Sequence, residues 1–267
     1  MNFWTEKSIN LANQKNYLDM LYKVYPMSVN ERREIDDGQW KKIKTAFEQK
    51  DKITLINKLC DLEIFPIKDS YIAYLKRDRS SIKRNPNTVD RISGMLFEMG
   101  LDDIFENSTV PKETNRQIGP LFKNWIDKGS LGAKVYKNVP EFLLSKGNAI
   151  LNVSDAEMKE FAKENFGFSR NKGLDFIARF NNTYVIGEAK FLTDFGGHQD
   201  AQFADALSTL HTKMEGGKLK DAKVVKIAIL DGVLYIKSKN KMHKYLLNNP
   251  DDLIISAILL RDFLYSL

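Results

Sequence analysis

The 267-residue chain is 43% hydrophobic and 28% charged, and it carries a formal net charge of +6. A single cysteine, Cys60, excludes an intramolecular disulfide framework, and no apolar run approaches the ~20 residues that a membrane span needs. The start of the chain also lacks the pattern of a signal peptide. We therefore expect a cytoplasmic globular protein with no membrane partner, whose basic excess weakly favours a polyanionic partner.

The first 150 residues carry mainly helical patterns, with no internal repeat and no low-complexity segment. Helically spaced apolar residues predict helices over the ranges 4–24, 29–48, 51–62, 89–99 and 120–128. Ser28 and Glu31 match a capping box at the start of the second of these helices. This part of the chain is expected to form a folded helical region.

From residue 154 the pattern changes to a mixture of helices and strands. Ser154 and Glu157 match a capping box for a helix at 155–165, and Asn181-Asn182 is a turn-prone pair between two strand-like stretches. The predicted elements in order are a helix at 155–165, strands GLDFIARF and TYVIGEAKFL, a helix at 198–214, strands KVVKIAIL and VLYIK, and a helix at 250–264. This order predicts an α/β fold with a mixed sheet.

Three charged side chains are expected to meet at one end of this sheet. Side chains alternate between faces along a strand, so Glu188 and Lys190 share a face, and the hairpin sets their strand beside the one that begins at Asp175. Two buried carboxylates repel each other unless a cation lies between them, and their oxygens are ligands that Mg²⁺ prefers. The lysine could orient or deprotonate a water, or stabilise charge on a phosphate. The pattern therefore predicts metal-assisted phosphodiester hydrolysis.

A structural alternative is that Asp175 is a surface residue and that Glu188 and Lys190 form an exposed cross-strand pair. The apolar surroundings of Glu188 in VIGEAKFL argue against this alternative. Gly187 fits a close approach of a backbone or a ligand, although a β-bulge would explain it equally well.

The spacing of these residues resembles the signature of the PD-(D/E)XK nuclease superfamily. Twelve residues separate Asp175 from Glu188-Ala189-Lys190, and Gly173-Leu174 stands where that signature often has a proline. The element order over 154–237 also resembles the αβββαβ core of the superfamily. The segment Gly196–Asp200, which follows the signature, is similar to the EcoRI-type branch of restriction enzymes.

The resemblance implies an α/β restriction-endonuclease-like core, with a mixed central sheet flanked by helices, at residues 151–267. Residues 1–150 would then be a helical region for DNA recognition or dimerisation. The implied activity is that of a type II restriction endonuclease, a homodimer that cuts double-stranded DNA at a specific short site. Mg²⁺ would be the cofactor, and Mn²⁺ would be able to replace it. The sequence contains no GxxxxGK[ST] loop, so no nucleotide cofactor is expected.

By the same resemblance, Asp175 and Glu188 would bind Mg²⁺, with the Ala189 carbonyl as a further ligand, and Lys190 would act on the attacking water. Many members of the superfamily add an acidic residue from the preceding helix. The candidates here are Glu157, Glu160 and Glu164, and helix phase does not choose among them.

Several polar residues near the predicted strands and turns are candidates for DNA contact, because cations and amides suit phosphates and base edges. They are Arg170, Asn171, Lys172, His198, Gln199, Gln202, Arg84, Asn85 and Arg116. The basic stretch 68–91 is a further candidate for gripping DNA. The alternative for each is an ordinary solvated surface.

Two other functions are kept open. One is a structure-selective or repair nuclease with the same core, such as a junction resolvase, in which the helical half would be surplus. The other is a non-catalytic DNA-binding protein that retains the core as a scaffold. A requirement of divalent metal for DNA cleavage would distinguish an enzyme from a scaffold.

Overall fold

The computed structural model describes residues 1–27, 32–111, 114–237 and 240–267. They form two compact units: a sheet unit, Met1–Met27 with Thr114–Leu267, and a helical unit, Ser28–Glu113. The boundary expected at residue 150 is therefore not the one in the structure. The first 27 residues belong with the sheet because buried side chains such as Leu21 and Val24 join its core.

The helices are numbered in chain order. They are α1 (Phe3–Ala12), α2 (Tyr17–Val24), α3 (Asp37–Glu48), α4 (Lys52–Cys60), α5 (Ser70–Arg77), α6 (Ser80–Arg84), α7 (Pro86–Met99), α8 (Leu101–Ser108), α9 (Thr114–Asp127), α10 (Val139–Leu144), α11 (Asp155–Phe166), α12 (Gly197–His211), α13 (Lys241–Asn248) and α14 (Leu260–Tyr265). Helices α3 to α8 form the helical unit around their own apolar core. No helix in the described ranges is long and apolar enough to cross a membrane.

The strands form one mixed sheet in the order β1 to β6. They are β1 (Lys134–Tyr136), β2 (Ala149–Leu151), β3 (Phe176–Phe180), β4 (Thr183–Leu192), β5 (Lys223–Gly232) and β6 (Ile254–Ile255). The pairs β2–β3 and β3–β4 are antiparallel, whereas β1–β2, β4–β5 and β5–β6 are parallel. Apolar clusters cover both faces of the sheet, so the charged end of β4 interrupts an otherwise apolar layer.

The hairpin that positions the predicted site is confirmed. Asn181 and Asn182 both have positive φ, at 44° and 63°, and Phe180 pairs with Thr183 across the turn. Gly187 has a steric reason to lack a side chain, because a Cβ there would lie 2.9 Å from the backbone oxygen of Ile227 on β5. The close approach is therefore that of a neighbouring strand.

Other predicted elements differ from the structure. The predicted helix 4–24 is two helices, because Asn16 takes a left-handed conformation between them. The helix expected from residue 29 begins at Asp37, where Asp36 caps it, and the capping box of Ser28 and Glu31 lies outside the described residues.

The end of the chain differs most. The stretch VLYIK contains a 3₁₀ turn, Val233–Tyr235, rather than a strand, because Gly232 with φ of 100° ends β5. The predicted helix 250–264 divides into β6, a 3₁₀ turn and α14. This apolar run is mostly buried, and periodicity alone does not separate a buried strand from a buried helix.

Candidate active site

The structure brings the three predicted catalytic residues together at one end of β3 and β4. Asp175 directly precedes β3, and its backbone N–H donates to the Gly187 carbonyl on β4 (3.1 Å). Lys190 donates through Nζ to Asp175 Oδ2 (2.8 Å) and to Glu188 Oε1 (2.7 Å). The Ala189 N–H donates to Asp175 Oδ2 (2.9 Å), which ties the aspartate to the second strand. The alternation of faces therefore produces the expected cluster.

The Lys190 ammonium marks a position where oxygen ligands surround a cation. Besides the two carboxylates, Nζ contacts the Ala189 carbonyl oxygen (3.1 Å). Asp175, Glu188 and Ala189 are also the three residues that the family resemblance implies as Mg²⁺ ligands. Mg²⁺ is commonly bound by one or two carboxylates, with waters and substrate phosphates completing its shell, so this donor set fits it. The described residues contain no group of three or more His, Cys, Asp or Glu that could hold a metal by themselves.

Burial and charge set the protonation of this cluster. Glu188 is only 2% exposed. Burial, with the negative charge of Asp175 as a second cause, raises the pKa of Glu188 to about 7. Burial lowers the pKa of Lys190, but the adjacent Asp175 and Glu188 carboxylates outweigh it, and the net shift is upward. Lys190 is therefore protonated near neutral pH. A further cation close to Glu188 would stabilise the ionised form of its carboxylate.

Arg170, predicted to contact DNA, lies inside the site. Its side chain is only 11% exposed, and Nη1 lies 3.4 Å from Glu188 Oε2. The same guanidinium donates to Thr209 and to Asp205, both on α12. Lys172, which is exposed, also donates to Asp205. Although burial opposes it, the pKa of Asp205 is lowered by these two cations.

Asp205 was missed by the sequence analysis. It lies on α12 between the apolar positions Phe203 and Leu207, both of which are buried. In the sequence, a carboxylate at such a position is typical of a solvent-exposed helix face. Only its contact with Arg170, 35 positions earlier, reveals its relation to the site.

A cavity of ≈ 290 Å³ opens beside the charged cluster. Its lining comprises Ile118, Gly119, Pro120, Asp175, Ala189, Lys190, Phe191 and Gln202. Gln202 therefore lines the same cavity as Lys190, and its Nε2 lies 3.0 Å from His198 Nε2. Gln199 is buried instead, and its side-chain oxygen accepts from the Thr193 N–H (3.2 Å). Gln199 thereby stabilises the loop before α12.

None of the three candidate glutamates on α11 is brought to Asp175 or Glu188. Glu157 completes the capping box with Ser154, which confirms that prediction. Glu160 lies 3.2 Å from Lys159, and Glu164 accepts from Lys218 (2.7 Å). All three glutamates therefore lie on the exposed face of α11, where they form only local contacts and surface ion pairs.

The remaining predicted DNA contacts form local interactions or lie outside the described side chains. Asn171 accepts from Lys159 (3.2 Å). Arg84 donates to Asp78 (2.6 Å), and Asn85 donates to the Ser81 carbonyl (2.7 Å). The side chain of Arg116 lies outside the description.

Comparison with known proteins identifies a family for the chain. Residues 2–267 match the family model described as Tsp45I type II restriction enzyme. No curated protein and no solved structure matches the chain. The family match covers both units, and it confirms the suspected type II restriction endonuclease relationship and the mixed α/β fold class. The chain therefore belongs to the Tsp45I family of type II restriction enzymes, nucleases that cleave DNA at a specific site.

Proposed function

We propose that the protein is a Mg²⁺-dependent restriction endonuclease that hydrolyses phosphodiester bonds at one short site in double-stranded DNA. The observation that carries the proposal is the shared cation position. One ammonium lies within 3.1 Å of oxygens from Asp175, Glu188 and Ala189, next to an open cavity. An exposed ion pair would need neither this burial nor this convergence.

In this proposal, Asp175, Glu188 and the Ala189 carbonyl hold the metal, and Mn²⁺, which accepts the same oxygen ligands, is expected to substitute for Mg²⁺. The bound metal supplies Lewis-acid polarisation of the phosphate. In the structure the Lys190 ammonium donates to these same three oxygens, so a metal bound there would displace it toward the cavity that it lines. There it would orient the attacking water and stabilise negative charge on the phosphate. Gln202 lies at the same cavity and is suited to hydrogen bonding with DNA.

A homodimer is part of the proposal. A two-fold axis that relates two identical subunits matches a palindromic DNA site, and each subunit would then cut one strand.

The helical unit is proposed to grip the DNA backbone through one part of its surface. Its segment 68–91 has seven basic and three acidic residues, whereas the other residues of 28–113 have nine basic and thirteen acidic ones. Three exposed cations of this segment form no ion pair within the described residues: Lys68, Arg77 and Lys83. Helix α5, which carries Arg77, also carries Tyr71 and Tyr74, each 61% exposed. This charge separation favours a polyanion.

The double variant Arg77→Ala/Lys83→Ala is expected to weaken binding to DNA of any sequence, because phosphate contacts carry no sequence information. The slope of the logarithm of affinity against that of salt concentration should fall by about 2. Fluorescence anisotropy without metal measures both quantities. Lys41→Ala/Lys42→Ala removes the same charge outside the segment and serves as the control. Unchanged DNA binding with altered subunit association would identify this surface as a protein interface instead.

The activity is tested by incubating the protein with a sequenced plasmid and Mg²⁺, beside an EDTA control, and mapping the ends. The proposal predicts discrete fragments that share one short sequence and that are lost with EDTA and in Asp175→Asn. Asp221→Asn, which neutralises an exposed carboxylate of the same unit, should cut normally. Random nicks or cutting only at branched DNA would indicate a repair nuclease. Binding without cleavage under any metal would indicate a scaffold.

A further inference from the structure

The two oxygens of the Glu188 carboxylate face different cations. Oε1 accepts from Lys190 at 2.7 Å and therefore faces the position proposed for the metal. Oε2 faces the Arg170 guanidinium at 3.4 Å. The Glu188 carboxylate therefore lies between the Lys190 ammonium, which lines the cavity, and the Arg170 guanidinium, which is nearly buried.

Arg170 is itself held from two sides. One terminal nitrogen donates to the Thr209 hydroxyl, and the other donates to the Asp205 carboxylate. Thr209 is fully buried, and the Asp205 side chain is 20% exposed. A guanidinium is a planar fork, so contacts at both terminal nitrogens fix its orientation as well as its position.

We infer that Arg170, anchored by Asp205 and Thr209, is a positioning residue that turns Glu188 so that Oε1 faces the metal. This inference rests on the proposed function and assigns Arg170 a role different from DNA contact. Both terminal nitrogens are occupied within the protein, and a side chain that is 11% exposed offers little surface to a phosphate. Outer partners that orient a metal ligand commonly change metal affinity or activity when removed.

The test separates metal binding from DNA binding in Arg170→Ala. The Mg²⁺ concentration for half-maximal cleavage should rise by about 10-fold or more, and Mn²⁺ binding followed by electron paramagnetic resonance should weaken in parallel. The Kd for a duplex carrying the mapped site, measured in EDTA, should stay within about threefold, because no phosphate contact is lost. Arg170→Lys, which keeps the charge and loses the fork, should be intermediate.

Lys218→Ala, which removes an exposed cation of the same unit, should leave all three measurements unchanged. Should Arg170→Ala fail to fold, Thr209→Val carries the test, because it removes one contact of Arg170 at nearly constant volume. It should shift the metal dependence in the same direction by a smaller factor.

The inference is overturned if Arg170→Ala leaves the metal dependence unchanged. A tenfold loss of metal-free DNA binding, with a salt slope reduced by about 1, would return Arg170 to phosphate contact. Failure of the proposed function gives a different result, namely a wild-type protein that does not cleave. Mn²⁺ binding still decides the role of Arg170 in that case, since equal affinities in wild type and Arg170→Ala would contradict it.

Discussion

Glu188→Gln is expected to abolish DNA cleavage and, at the same time, to stabilise the metal-free protein at pH 8. Cleavage should fall by at least about 10²–10³-fold, because a neutral amide replaces one of the two carboxylates proposed to hold the metal. Stability should rise because the ionised Glu188 is buried beside Asp175. A residue whose charge is costly to the fold but needed for the reaction has this pair of effects.

The sign of the stability change follows from protonation. The pKa of folded Glu188, about 7, lies above its ordinary value of 4.5, so the folded protein binds more protons than the unfolded chain between these values. The free energy of unfolding therefore falls as the pH rises through this window. Glutamine does not ionise, so the variant lacks this fall, which is on the order of 1–3 kcal/mol.

Urea unfolding in EDTA at pH 5 and pH 8 measures this difference. The advantage of Glu188→Gln over wild type should be larger at pH 8 than at pH 5. Glu215→Gln, at an exposed position of the same unit, should show no pH-dependent advantage. If Glu188→Gln were no more stable than wild type at pH 8, the burial of an ionised Glu188 would not be costly, and the interpretation of its raised pKa would be wrong.

Of the substitutions proposed for this protein, Asp231→Ala is expected to lower the free energy of unfolding most, although Asp231 does not belong to the proposed active site. Its carboxylate is fully buried at the end of β5. Tyr17 and Tyr25 each donate a hydroxyl hydrogen bond to it at 3.2 Å, and Ser256 and the Ala257 N–H donate as well. Removal of the carboxylate leaves these buried donors without an acceptor and should cost about 3–5 kcal/mol.

This loss should lower the Tm of the sheet unit by roughly 10 °C or more, as calorimetry would show. Asp231→Asn keeps one acceptor oxygen and should lose less. Burial raises the pKa of Asp231 to about 6 from 3.8, so ionisation makes the wild type less stable as the pH rises from about 4 to 6. Asp231→Asn should lack this slope. A change of less than about 1 kcal/mol in Asp231→Ala would show that the network is not needed for the fold.

The convergence of Asp175, Glu188 and Lys190 could be predicted from the sequence, because it depends on local rules. Alternation along β4 sets Glu188 and Lys190 on one face, and the two asparagines with positive φ close the hairpin that brings Asp175 alongside. The helix start at Ser154 was also predictable, since a capping box involves residues only three positions apart.

Elements that depend on distant contacts were not predictable. Helices α1 and α2 belong to the sheet unit although they look like part of an N-terminal helical region. Tyr17 and Tyr25 reach Asp231 across more than 200 residues of sequence. The short strands β1 and β2, with three residues each, show no period long enough to recognise.

The surroundings of the cluster were decided by the tertiary structure alone. In the sequence, Arg170 and Asp205 look like solvent-exposed charged residues. Helix phase likewise gives no reason to prefer one of Glu157, Glu160 and Glu164 as the additional acidic residue of the site. Folding buries the guanidinium of Arg170 against Glu188 and leaves the three glutamates on an exposed helix face. The physical reason is that charge is a local property of a residue, whereas burial and pairing depend on which distant element packs against it.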